Sequence, residues 1–166
     1  MAKEKPESIL LASHLWLWVV VLEIAHQILS IVMGFLTPEI WRKQVEDQIV
    51  SQQPNFTDAH INVTTYTLIA IPGVLAIGIM CVVLWMSLVL SRGGQYAGFA
   101  RRTLLFFGVY LGIRLIIVFV PLGLALPDAL VILDGCVQIV VSVCAIMAVY
   151  LVTRPESLMW TGEQHG

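Results

Sequence analysis

Four long apolar stretches alternate with polar connections along this chain. Residues 9–36, 65–91, 103–125 and 130–152 are each mostly apolar over about 20 residues or more, the length an α-helix needs to cross ~30 Å of hydrocarbon. Lipid offers no partner for backbone N–H and C=O groups, so each stretch must satisfy its own. The expected fold is therefore an all-α integral membrane protein, with residues 1–166 forming a single domain of four transmembrane helices. The first two stretches exceed a perpendicular crossing and are expected to tilt or protrude. Between them lies an outer segment, 37–64. A Pro-rich reversal at 121–128 leads into the last stretch, and a tail, 153–166, follows it.

The outer segment has a pattern of its own. Ile40, Trp41, Val45 and Ile49 recur at helical spacing opposite Arg42, Lys43, Glu46 and Asp47. Pro38 suits a first helical turn, and Glu39 complements the helix dipole. These features predict an amphipathic helix on the bilayer surface, with Trp41 at headgroup depth touching lipid or a partner. The remainder, 52–64, is polar and reads as turn-rich. It carries two glycosylation-type triplets, beginning at Asn55 and Asn62.

Composition agrees with the pattern: 58% of residues are apolar, 12% are charged and the mean hydropathy is +0.88. Nine Lys and Arg against eleven Asp and Glu give a net charge of −2, which speaks against nucleic acid as a partner. The placement of the cations carries more information. Lys3, Lys5, Arg92, Arg101, Arg102 and Arg154 fall on one side of the four stretches, and Arg42 and Lys43 fall on the other. The positive-inside rule then puts both termini in the cytoplasm of a multi-pass plasma-membrane protein. The first stretch is too long for a secretory signal and lacks a small-x-small cleavage site, so it is expected to be retained. Cys81, Cys136 and Cys144 lie within apolar runs as small hydrophobes, which speaks against a disulfide framework or a thiol oxidoreductase.

Only Glu23, Arg114 and Asp134 place charge inside the stretches, at a cost of at least ~2.5 kcal/mol each. Helical rise puts Glu23 about 22 Å from the cytoplasmic end, Arg114 about 18 Å and Asp134 about 27 Å. The expected arrangement is a polar lock in which Arg114 neutralises Glu23, Asp134 or both. A proton relay through one of the carboxyls is the alternative. His26 and Gln27 extend Glu23 into a stripe along one helical face, and Gln138 follows Asp134 by one turn in a second stripe that could face the first. His26 could also donate to a quinone head. His14 and His26 are about 18 Å apart along a helix and cannot clamp one haem iron, and no cluster has metal-ligand spacing, so neither cofactor nor metal is expected.

Gly108 and Gly112 form a GxxxG, the spacing that lets helices approach closely. Pro72-Gly73 is expected to kink or open the second stretch. Arg101 and Arg102, besides fixing orientation, would suit anionic lipid headgroups or an acidic partner surface. In the tail, Pro155 should end the fourth helix, leaving Leu158, Met159 and Trp160 to dock on the membrane or on a neighbouring subunit. No nucleophile triad, HExxH motif or nucleotide loop is present, so an enzyme is not expected.

In its layout, and in the stretches GGQYAGFARR and TRPESLMW, the chain resembles the small four-helix accessory membrane proteins of actinobacterial cytochrome bc–cytochrome oxidase supercomplexes. The resemblance implies a non-catalytic subunit of a larger membrane complex. Its partners would be haem-bearing respiratory subunits and lipids, with electron transfer occurring in those subunits. A second resemblance, to small multidrug exporters, rests on four helices and a Glu in the first; it implies an oligomeric proton-coupled transporter working through Glu23. The long outer segment and Arg114 depart from that pattern. A third reading is a quinone- or lipid-interacting protein using His26 and Glu23.

Overall fold

A computed structural model describes residues 4–50, 57–118 and 128–163. The described elements are all helical: α1 (Glu7–Leu36), α2 (Pro38–Val45), a π-helical turn (Glu46–Val50), α3 (Asp58–Arg92), α4 (Ala97–Val118), α5 (Asp128–Val152) and α6 (Pro155–Trp160). Prolines punctuate the chain as their chemistry requires. Thr37 and Arg154, each preceding a proline, leave the helical region, and Pro38 and Pro155 then open new helices in the first turn. α1, α3 and Ile132–Val152 of α5 are long and apolar enough to span a membrane, with mean hydropathy of 2.0, 2.6 and 2.4 in their most apolar windows. α4 carries Arg101, Arg102 and Arg114, and its described part stops at Val118. The rest of the expected third stretch, the reversal at 121–128 and the Asn55 triplet lie outside the described residues.

One boundary differs from the sequence expectation. α3 begins at Asp58, so most of the segment expected to be turn-rich is helix. Ile61, Thr65 and Ile69, one turn apart, are all buried, and the Thr65 hydroxyl donates to the Ile61 carbonyl at 2.8 Å. A helical stripe thus starts before the apolar stretch does, with a self-bonded threonine standing in for a hydrophobe. α3 then continues through Pro72 to Arg92.

The chain packs as two units, residues 24–78 and the remainder. Within 24–78, α1 and α3 approach through reciprocal glycine–isoleucine contacts. A Cβ on Gly34 would lie 2.6 Å from Ile69 Cγ2, and one on Gly73 would lie 2.6 Å from Ile31 Cδ1. α2 buries Val45 and leaves Ile40 and Trp41 half-buried. On its polar side, Arg42 donates to Glu46 at 2.8 Å, to Asp58 at 3.1 Å and to Asn62 at 3.2 Å, tying α2 to the start of α3.

The other unit is built on spacings of three and four. The buried positions of α1 run Ile9, Ala12, Trp16, Val19 and Glu23. Those of α4 include Ala97, Ala100, Leu104, Gly108 and Leu111, and those of α5 include Val141, Ala145, Ala148 and Val152. This near-heptad rhythm is that of helices crossing at shallow angles. The glycines of α4 serve the same packing: a Cβ on Gly108 would collide with Val149 Cγ2, and one on Gly112 would lie 3.2 Å from Ile146 Cγ1.

Candidate functional site: an ion pair in the bundle and a latched tail

The apolar seams of α1, α4 and α5 each turn polar toward the same end. Extending the rhythm of α1 leads to Glu23, that of α4 to Arg114, and that of α5 backward to Gln138 and Asp134. Arg114 Nη1 donates to Glu23 Oε1 at 2.5 Å. The Glu23 side chain is 3% exposed and that of Arg114 is 19% exposed, so the pair is withdrawn from solvent on the carboxylate side. A charge-assisted bond of this kind, in a setting of low dielectric, joins α1 and α4 where neither could leave its charge alone. Gln138 Nε2 donates to Asp134 Oδ2 at 2.6 Å, so these two side chains of α5 bond to each other along the helix.

His26 continues the α1 seam and is 6% exposed. Gln27 and Trp41 share the wall of a recess of about 240 Å³ that also includes Pro72 and Gly73. Among the described residues no group of three or more His, Cys, Asp or Glu is placed to hold a metal.

The opposite end of this unit is basic, and the tail closes over it. Glu163 accepts from Arg101 Nε on one oxygen and from Arg102 Nε, at 2.7 Å, on the other. Trp160 Nε1 donates to the Leu90 carbonyl at 3.0 Å, a last-turn acceptor of α3 that also takes the Gly93 N–H at 3.3 Å. The ring lies over Gly93, whose φ of 75° and lack of a side chain are both needed, since a Cβ there would be 2.8 Å from Trp160 Cζ2. Ser157 and Ser8, both buried, share a hydrogen bond of 2.9 Å, and Lys5 donates to Ser91. Arg101, Arg102 and Trp160, expected to meet lipid or a partner, each make a bond within the chain. No local pattern announces this arrangement. The one available signal is Glu163, a lone acid beyond the apolar cluster of a tail that can reach an Arg pair.

No family model, curated protein or solved structure matches the chain. The site is therefore read from its own geometry.

Glu163 also sets a pH dependence. Burial pushes its carboxyl up, but the bonds from Arg101 and Arg102, reinforced by their charges, prevail and hold it below the ordinary value of 4.5. A carboxyl with a lowered folded value stabilises the latch fully above its unfolded value, and that contribution is lost as pH falls through the folded one. Cleavage at Glu163 by an acid-tolerant carboxypeptidase should therefore be slow near neutral pH and should speed up as the digestion pH is lowered below the ordinary value of 4.5 and through the lowered folded one. Glu163→Gln should be cleavable at neutral pH. Equal protection of the variant and the parent at every pH would remove Glu163 from the latch.

Proposed function

We propose that this chain is a multi-pass plasma-membrane protein with four spans and cytoplasmic termini. In this reading it serves as a non-catalytic accessory subunit of a larger integral membrane complex, with respiratory cytochrome bc and cytochrome oxidase subunits and membrane lipids as its partners. The observation that carries the reading is how little of the apolar surface the chain uses on itself. In the most apolar windows of α1, α3 and α5, only 33%, 22% and 33% of residues are buried. The rest is available to lipid and to the helices of other proteins.

Support for the orientation comes from Lys5 bonding Ser91 and from Glu163 bonding Arg101 and Arg102. These contacts join both ends of the chain to the basic loop, as the positive-inside rule would have it. The ion pair favours a scaffold over an exporter. A guanidinium beside Glu23 repels cationic substrates and occupies the carboxylate that would have to exchange protons.

Purification from native membranes in mild detergent tests the proposal. Haem-bearing membrane subunits at fixed stoichiometry, seen by mass spectrometry and in the visible spectrum, are the expected result. A colourless homo-oligomer would contradict it and make Glu23 the next residue to examine.

A further inference from the structure

The end of α3 and the start of α4 frame an apolar recess of about 620 Å³ lined by Trp85, Met86, Val89, Tyr96 and Phe99. Its volume lies within the ~300–1,000 Å³ of small-molecule sites. Trp85, Tyr96 and Phe99 are 59%, 64% and 63% exposed, so their faces are open to whatever fills the recess. Arg92 follows two lining residues on one helix face: Trp85, Val89 and Arg92 are spaced by four and three residues, with Arg92 in the last turn of α3. Arg101 and Arg102 are tied to Glu163, whereas Arg92 is exposed and has no ion-pair partner among the described residues.

We propose that this recess is a binding site for one anionic phospholipid of the cytoplasmic leaflet, with its phosphate at Arg92 and an acyl chain laid along Val89 and Trp85 between Tyr96 and Phe99. The argument is one of direction as well as charge. From Arg92 to Trp85 the helix advances about 10 Å, away from the basic end and into the apolar part of α3. A phospholipid of that leaflet has the same polarity along the same axis, with headgroup at the basic surface and chain inward. Aromatic rings at this depth suit the interface between headgroups and hydrocarbon. Lys5, bonded to Ser91 next to Arg92, adds to the positive charge of this end. The inference rests on the membrane-spanning reading above.

The test uses the full chain in nanodiscs of phosphatidylcholine carrying a minor fraction of phosphatidylglycerol, with brominated chains on one lipid or the other to quench tryptophan. Quenching of Trp18, an exposed residue of α1, by brominated phosphatidylcholine reports membrane insertion, whichever headgroup the recess prefers. The difference between the parent and Trp85→Phe isolates the signal of Trp85. Brominated phosphatidylglycerol is expected to populate the recess about fivefold beyond its share of the bilayer, the factor that one Arg near a membrane surface supplies. Arg92→Gln should abolish the preference, as should Val89→Phe, which fills the recess without adding a tryptophan. Unquenched Trp18 would overturn the membrane reading itself. Quenched Trp18 with no headgroup preference at Trp85, or a preference that survives Arg92→Gln, would overturn the lipid site alone, as would a dimer that shields Trp85 from both lipids.

Discussion

Glu23→Gln and Arg114→Gln are each expected to destabilise the bundle by about 3 kcal/mol, and the double replacement by less than either alone. Each single change leaves one buried charge facing a neutral amide. The 2.5 Å bond and the 3% exposure of the Glu23 side chain make that loss large, because a charge-assisted bond to a buried carboxylate is exchanged for a neutral one. The double variant removes both charges and keeps side chains able to hydrogen-bond. Thermal melts of the four proteins in one detergent measure the cycle. Additive losses would reject direct coupling between the two residues.

Gly108→Ala should cost about 1–3 kcal/mol, and Gly112→Ala less than about 1 kcal/mol. The two glycines belong to one GxxxG, but their surroundings differ. A Cβ on Gly108 meets Val149 Cγ2 too closely to be accommodated, and the Ala145 backbone carbonyl 3.5 Å away limits any retreat. At Gly112 the nearest atom, Ile146 Cγ1 at 3.2 Å, belongs to a side chain that can turn aside, and Ile146 is exposed. The added Val149→Ala change should restore most of what Gly108→Ala loses. Equal effects at the two glycines, or no rescue, would mean that α4 and α5 do not pack through this face.

The meeting of Glu23 with Arg114 was legible because depth in a helix can be counted, and two opposite charges at similar depth in a hydrocarbon bundle have strong reason to meet. The spacing Ile9, Ala12, Trp16, Val19, Glu23 also stands in the sequence, and it says which face of α1 is inward. The early start of α3 was obscured because Asn62, Thr64 and Thr65 make the stretch look polar. Its helical stripe shows only if Thr65 is counted as an inward residue whose hydroxyl bonds to its own backbone. Asp134 and Gln138 were readable as a stripe, though not the bond they make along it. The tail was the least legible part. Its docking depends on a carbonyl at the end of α3, a glycine with positive φ and an acid that meets two arginines some 60 residues away in the chain. Each of these is a tertiary fact. Apolar tail residues look the same whether they meet their own bundle, a bilayer or a partner.

The claim that the outward apolar surface serves a larger membrane complex is tested most directly by photo-crosslinking in native membranes. A photoreactive amino acid would be placed in turn at Leu75, Ile132 and Tyr150, which are 62%, 64% and 62% exposed on α3, α5 and α5. At one or more of these sites the account predicts a discrete adduct with a larger integral membrane protein, identified by mass spectrometry as a haem-bearing respiratory subunit. Adducts only with lipid and with further copies of this chain at all three sites would contradict it.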